Sequence, residues 1–464
     1  MDDGQSAGDR PRRPPLKCFK AYDVRGRVPD ELNEDVAERI GRAFAAFVKP
    51  ESVVVGHDIR RSSPVLAGAV ARGLQQSGVR VLDIGLCGTE QVYFAAAHLQ
   101  AGGGIMVTAS HNPADFNGMK FVREEARPIS GDTGLDRIRE LAEAAAKPAG
   151  DTHGDLETVD VMAAYIEHLL TYLDRGALKP LKIVVNPGNG GAGAVIDRLS
   201  EHLPFDFVKV HFRPDGSFPN GVPNPLLPEN RAATITAIRS SGADLGVAWD
   251  GDFDRCFLFD ALGNFVEGYY IVGLLARTLL ARHPGSRIVH DPRLVWNTIE
   301  EVVASGGEPV QCKTGHAFIK ERMRAEDAAY GGEMSAHHYF RDFNYCDSGM
   351  IPWLLVAELI CKTGKGLATL LEERVERYPV SGEINRRVND AGAAIAAVRQ
   401  RFESGAVRVD ETDGLGLEFP DWRFNLRSSN TEPVIRLNVE ARGSPSLVEK
   451  RTREILALLD SFGH

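Results

Sequence analysis

The stretch "SVVVGHDIR", residues 52–60, is a β-branched run that ends in a polar turn. Behind it comes "SPVLAGAVARGLQQSG" (63–78), an amphipathic run, and then "VRVLDIGL" (79–86), a second apolar run. Strand, helix and strand at these lengths predict a βαβ unit. The pattern returns as "LKIVVNPGN", "GAGAVIDRLSEHL" and "FDFVKVHF", beginning near residue 181. It returns again as "SRIVHDPRL", "VWNTIEEVVASGG" and "EPVQCKTG", beginning near residue 286. Three copies predict three α/β domains in series. Pro379 and Gly382, inside "LEERVERYPVSGEINRRV", mark the boundary of a fourth, smaller region. It ends in "SPSLVEKRTREILALLDSF", which opens on a Ser-Pro helix signal and keeps leucines on one face. This region reads as an α+β domain. The expected divisions are a disordered tail over 1–15, α/β domains over 16–155, 156–258 and 259–374, and the last domain over 375–464.

Composition agrees with a multidomain globular chain. Its 464 residues exceed one ordinary domain, and 43% of them are apolar. The formal net charge is −10 with mixed signs along the chain, which argues against general affinity for nucleic acid or an anionic membrane. "YYIVGLLARTLLA" and "IPWLLVAELIC" are short and carry Arg277 and Glu358, so they read as buried helices rather than membrane spans. The opening "MDDGQSAGDRPRRPP" lacks the apolar core of a signal peptide. The six cysteines are scattered without metal-ligand spacing and read as reduced thiols of a cytoplasmic protein.

Each α/β copy leads into an unusual loop. After the first comes "TASHNPADFNGMK", where Ser110 reads equally as a nucleophile, a helix cap or a loop serine. After the second comes "WDGDFDR". If this segment is extended, Asp250, Asp252 and Asp254 point the same way. Three convergent carboxylates need a cation to stay ionised, and a hard divalent ion such as Mg²⁺ suits them. The alternative is an Asp- and Gly-rich hairpin turn. An EF-hand is excluded, because its sixth position is Arg255 and its twelfth Ala261. After the third copy comes "GGEMSAHHYF". Glu333 and Ser335 suit sugar hydroxyls, and His337 or His338 suits proton transfer, against the alternative of a packed loop. "KTGHAFIK" adds Thr314, Gly315 and His316 at a strand end, where open α/β sheets bind ligands. The fourth region holds "RSSNTEP", with Arg427, Ser428, Ser429, Asn430 and Thr431. That is the inventory of a phosphate-binding loop or of a polar turn with a cap. "GNGGAG" (188–193) matches a dinucleotide fingerprint but lacks the acidic residue that should end the next strand. Its glycines read as tight strand–helix packing.

Together these loops, with the opening "FKAYDVRG", resemble the α-D-phosphohexomutase superfamily from about Phe19 to the C-terminus. TASHNP resembles its phosphoserine loop, DGDFDR its metal loop, GEMSAH its sugar loop and RSSNTEP its phosphate loop. Asn430, where phosphoglucosamine mutases carry glycine, and "GEMSAHHYF" resemble the bacterial phosphomannomutases, including those that also act on phosphoglucose. Phe253 departs from the glycine of many relatives, and Arg293 from the lysine of some. The resemblance implies four domains around a central cleft: three mixed α/β sheets and a smaller domain that closes over the substrate, with a hinge near Pro379.

The implied reaction interconverts hexose 1- and 6-phosphates of mannose, and also of glucose. Phosphorylated Ser110 would pass its phosphoryl group to the sugar, through a hexose 1,6-bisphosphate that also serves as activator. Ser110, Asp250, Asp252 and Asp254 would hold Mg²⁺. Arg25, His111, Lys120 and Arg255 would balance the negative charge. Lys120, His316 and His337 are the candidate acid/base groups. Tyr22, Arg25, Arg293, Thr314, Gly315, Glu333, Met334 and Ser335, with the phosphate loop from Arg427 to Thr431, would bind the phosphosugar. His111 is expected to face away from Ser110, as neighbours in an extended loop do. A monomer is expected, with a dimer as the alternative, and nucleotide-sugar supply for polysaccharide is the implied role. The rival readings are a serine phosphatase, against which the second phosphate loop argues, and a silent sugar-phosphate sensor, against which the complete donor set argues.

Overall fold

In this computed structural model, which describes residues 15–144, 153–428 and 434–463, the threefold pattern becomes three sheets of one topology. In the first, Ser52–His57 lies parallel to Arg80–Leu86 on one side and Gly103–Val107 on the other. Phe116–Arg123 then turns back antiparallel to Gly103–Val107. Val24–Arg27 and Leu156–Thr158 extend the two edges. The second sheet repeats this with Lys182–Asn186 between Asp206–Lys209 and Leu245–Trp249, and Cys256–Phe259 turning back. The third does so with Arg287–His290 between Glu308–Gln311 and Tyr330–Gly332, and His338–Phe340 turning back. The fourth sheet is wholly antiparallel and packs the helices Ala391–Phe402 and Pro445–Asp460. The chain is therefore three mixed α/β domains followed by an α+β domain.

The sheets divide the chain later than expected. Leu156–Thr158 joins the first sheet and Phe265–Val266 the second, and the helix Leu367–Arg377 runs through residue 374. Short edge strands after a long loop carry too little apolar pattern to be assigned from sequence. The expected disordered tail lies almost entirely outside the described residues.

Local chemistry fits the elements. Ser63–Gln75 carries Pro64 in its first turn, and Ser444 caps Pro445–Asp460 by accepting from Leu447 N. The helices Gly268–Leu280 and Ile351–Thr363 are buried, and Glu358 within the second pairs with Arg282 at 2.6 Å. Among the described residues no helix is long and apolar enough to cross a membrane. All six cysteines are free and buried.

One apolar core runs through the first three domains, from Val54 and Phe94 through Ile183 and Trp249 to Ile288 and Trp353. The fourth domain keeps its own, built on Phe424, Leu437 and Ile455. Glu90 stitches the first three together. It is fully buried, accepts from Tyr165 Oη, and meets Gly349 N and Met350 N where the helix Ile351–Thr363 begins. Burial pushes its pKa up to about 8, against those hydrogen bonds. The folded state therefore holds a proton that the unfolded chain releases near its ordinary value. Stability from this group is complete below that value and is lost as pH rises towards 8, by up to about 1.4 kcal/mol per pH unit. Denaturant midpoints should fall across that window. Glu90→Gln, which copies the protonated form, should flatten the fall; an identical slope in both proteins would refute the assignment.

Candidate active site

All three chemistry-bearing loops occupy the same place in their sheets. Each joins the third parallel strand to the strand that turns back: 108–115, 250–255 and 333–337. Because the three sheets share one topology, their shared core brings these hairpin tips together.

Ser110 is 2% exposed, and its Oγ lies 2.8 Å from Asp250 Oδ2. It also lies 2.9 Å from His111 Nδ1, which corrects the expectation that His111 faces away. The cause is local: Ser110 has φ +50, so the loop is not extended there and the two side chains turn to the same side. Burial, with Arg255 and Arg25, keeps the His111 imidazole well below its usual pKa. The loop is held from below. Arg60 Nη2 donates to Ser110 O at 2.8 Å and to Asn112 O at 2.6 Å, while its Nη1 reaches Pro113 O and Phe116 O. Asp58 accepts from Thr108 Oγ1, which in turn accepts from Ser110 N. Arg25 reaches Asn112 Oδ1 and Ala109 O and pairs with Asp23 at 2.8 Å.

The metal loop presses directly on this one. A β-carbon at Gly251 would come 2.6 Å from Ser110 O. Asp250, Asp252 and Asp254 are buried and offer ligand oxygens within 4.8 Å of one another. They converge through a turn with Phe253 at φ +45, not through the extended alternation expected from spacing. Among the described residues, Oδ1 of each is buried without a hydrogen-bond partner, and that of Asp254 has only His337 Nε2 nearby, at 3.4 Å. Three convergent carboxylate oxygens without hydrogen bonds in one cradle fit a hard divalent cation. Burial and the two neighbouring aspartates push Asp250 up to about 7, the strain that such a cation would relieve. Phe253, the departure from glycine, is fully buried against Gly88 and Gly191. This explains two of the GNGGAG glycines: β-carbons at Gly191 and Gly190 would crowd the Phe253 ring and Gly251 O, at 3.1 and 2.9 Å. Gly190 and Gly191 thus serve the approach of the DGDFDR loop, whereas Gly188 and Gly193 meet Pro223 and Phe212.

Lys120 lies between Asp252 Oδ2 at 2.7 Å and Asp254 Oδ2 at 2.5 Å, and Thr89 Oγ1 donates to Asp252 Oδ2 at 2.6 Å. Burial works against the Lys120 ammonium, but the two aspartates outweigh it and raise its pKa. Arg255 Nε lies 3.6 Å from Asp250 and 3.1 Å from His337 Nε2. His337 also faces Asp254 at 3.4 Å and Glu333 at 3.3 Å. Burial and Arg255 oppose its protonation; Asp254 and Glu333 prevail and raise it to about 9. His316 begins the helix His316–Glu326 with its ring 6.2 Å from that of Tyr22. Burial, then Lys320 and Lys120, hold it well below the usual histidine range.

The GEMSAHH loop is equally built. Glu333 accepts from Gly315 N at 3.0 Å and Tyr339 Oη at 2.5 Å. Thr314 Oγ1 is buried without a partner. Met334 N donates to Asp291 at 2.8 Å, and Ser335 Oγ lies 3.2 Å from Arg293 Nη2. Arg427 pairs with Glu383 at 3.2 Å, and Ser428 is exposed at the end of Trp422–Ser428. Ser429, Asn430 and Thr431 lie outside the described residues.

Sequence reasoning missed Asp58, Arg60, Thr89, Asp291 and Glu383. A signal existed for three of them. "HDIR" (57–60) and "HDPR" (290–293) end the first strand of the first and third copies. Their geometry repeats: the histidine Nδ1 lies 2.9 Å from the aspartate carbonyl, and the arginine N donates to aspartate Oδ1 at 2.9 Å. Each aspartate then fastens the hairpin loop of its own sheet, through Thr108 or through Met334.

Family models agree with the division into four. The model for phosphoglucomutase/phosphomannomutase alpha/beta/alpha domain I matches residues 16–149, domain II 163–263, domain III 267–378 and the C-terminal domain 383–458. The chain belongs to the phosphoglucomutase/phosphomannomutase family. Within that family it is 61% identical over 444 residues to the phosphohexose mutases of Xanthomonas campestris pv. campestris (strain B100), covering 96% of this chain and 99% of that one. It is 61% identical to the phosphomannomutase of Salmonella montevideo over 453 residues, covering 96% and 99%. The crystal structure of a phosphoglucomutase/phosphomannomutase family protein from Burkholderia thailandensis superposes with TM-score 0.85 at 33% identity, covering 96% and 98%. As a member of this family the protein is an isomerase that moves a phosphoryl group.

Proposed function

We propose that the protein interconverts mannose 1-phosphate and mannose 6-phosphate, and the corresponding glucose phosphates, through a phosphoserine at Ser110 and a hexose 1,6-bisphosphate. The observation that carries this reading is the contact of Ser110 Oγ with Asp250, beside two more buried aspartates whose Oδ1 atoms make no hydrogen bond among the described residues. The phosphomannomutases at 61% and 58% identity support mannose as the sugar. Supply of nucleotide-sugar precursors is the corresponding role.

The step balances without a further reactant. The sugar hydroxyl oxygen attacks the phosphorus, the bond to Ser110 Oγ breaks, and the hydroxyl proton leaves to a side chain. In the second half the opposite phosphate returns to Ser110. Transfer of this kind relies on placement and charge more than on covalent chemistry. Asp250, Asp252 and Asp254 with Ser110 would hold Mg²⁺, which neutralises charge on the transferring phosphoryl group. Arg60 fixes the serine backbone, and Arg25, Lys120 and Arg255 supply cations around it. Lys120, His316 and His337 are the proton carriers the site offers: His337 lies beside Arg255 and Asp254 at the transfer site, and His316 is the one that burial keeps neutral and so able to accept. One group can serve both directions, since the reverse step returns the proton. Glu333 and Ser335 suit vicinal hydroxyls. Arg293, Arg427 and the residues from Ser428 to Thr431 suit the phosphate that is not reacting. Tyr22, Thr314, Gly315 and His316 would contact the sugar.

The test is ³¹P NMR with Mg²⁺ and a trace of glucose 1,6-bisphosphate, with each 1-phosphate in its own tube. Conversion to 6-phosphates is expected in both, with mannose favoured. Release of inorganic phosphate alone would replace the reading with a phosphatase, and binding without any conversion would replace it with a sensor.

A further inference from the structure

The strand Val380–Arg387 opens the fourth domain, and its pairing with Val434–Ala441 shifts register between Val380 and Glu383. Gly382, inside that irregularity, takes φ +67. A bulge re-aims the side chain beside it, and here that side chain is Glu383. Its Oε2 lies 3.4 Å from Arg293 Nη1 and 3.2 Å from Arg427 Nη2, and its Oε1 lies 3.8 Å from Arg436 Nη1. Arg293 belongs to the third domain, and Arg427 and Arg436 to the fourth. One carboxylate oxygen therefore bridges two guanidiniums across the domain boundary.

The surroundings favour an exchangeable anion. Arg293 is anchored on its other edge by Asp291 at 2.9 Å, so its Nη1 is the nitrogen turned to Glu383. Arg427 has a looser hold, with Asp413 at 4.0 Å and its Nε buried without a partner among the described residues. Burial and then Arg293 press the Arg427 pKa down, so a stronger anion there would be welcomed. Burial opposes ionisation of Glu383 as well, but the three guanidiniums prevail and hold its pKa down.

We propose that Glu383 is a resident stand-in for the non-reacting phosphate of the substrate: it occupies the guanidiniums of Arg293 and Arg427 while the site is empty, gives way when the phosphate docks, and speeds release by returning. This rests on the mutase reading above. A mutase must release a phosphate from this seat so that the bisphosphate can turn over. Arginines facing no internal competitor would hold a dianion by strong, charge-assisted bonds. An internal carboxylate offers them another partner, which lowers the net gain on docking and eases departure. Glu383 is thus a positioning residue that acts through two arginines.

The experiment has two arms. In a Ser110→Ala background, which cannot transfer phosphate, titration of glucose 1-phosphate by calorimetry compares Glu383 with Glu383→Gln. The Gln variant should bind on the order of fivefold tighter, since it keeps the shape and removes the competing charge. With Ser110 intact, Glu383→Gln should lower KM and kcat together, the mark of slowed release; a structural role would raise KM. Glu383→Asp, which keeps the charge but is one methylene too short to bridge both arginines, should fall between, and decides the matter if the Gln variant does not fold. Unchanged or weaker binding overturns the proposal. Failure of the mutase reading would show separately, as absence of isomerisation by the unsubstituted protein.

Discussion

Ser110→Ala should lower turnover by a factor on the order of 10⁴ while leaving the fold and phosphosugar binding in place. The loop does not depend on the hydroxyl. Arg60 grips Ser110 through its carbonyl oxygen, and Thr108 through its amide. Alanine meets the same positive φ that serine already accepts. The substitution removes only the Oγ that lies between Asp250 and His111. Stability should therefore stay within about 1 kcal/mol. The phosphorylated species, seen as an added phosphate in the intact mass of the unsubstituted enzyme, should disappear. A variant that kept a tenth of the activity would place the phosphoryl carrier elsewhere, and His111 would be the first residue to test.

Chelation should be nearly as severe. Stripping divalent ions should reduce activity on the order of 10³-fold, with recovery on adding Mg²⁺. Binding should also be visible without turnover. A ligand that binds only the folded state at a hundred times its dissociation constant adds about 2.7 kcal/mol, so Mg²⁺ should raise the thermal midpoint of the unsubstituted protein. In Asp252→Asn that rise should shrink sharply, because one of three convergent carboxylates has lost its charge. An equal rise in both proteins would move the metal away from this loop. Lys120 already lies against Asp252 and Asp254, so the cradle keeps one internal cation as well.

The fold was legible because its signal repeats. Three β-branched runs, each followed by a helix, placed three sheets from "SVVVGHDIR" onward, and the structure gives all three one topology. The site was legible where chemistry is concentrated in contiguous loops, as in "DGDFDR". It was illegible where one ordinary residue acquires its meaning from a distant partner. Arg60 meets Ser110 across fifty positions, and Glu383 meets Arg293 across ninety. Backbone shape was the other blind spot. The turn of His111 towards Ser110 depends on one left-handed residue that spacing does not disclose. The glycines of "GNGGAG" looked like a cofactor motif or a helix seat, and two of them, Gly190 and Gly191, answer to the approach of the DGDFDR loop.

The bracket formed by His57, Asp58 and Arg60 has a twin in His290, Asp291 and Arg293. The two brackets fasten loops of different proposed function. In the first copy the fastened loop carries Ser110, the proposed donor; in the third it carries Glu333 and Ser335, the proposed grip on the sugar. The middle copy replaced the bracket with Asn186 and Gly188, and its loop became the acidic cradle. The chain thus carries two matching handles and a third built differently, each fitted with a different head. An Asp58→Asn change would loosen the donor alone, and Asp291→Asn the grip alone, so lesions in twin positions of this one protein should give unlike kinetic defects.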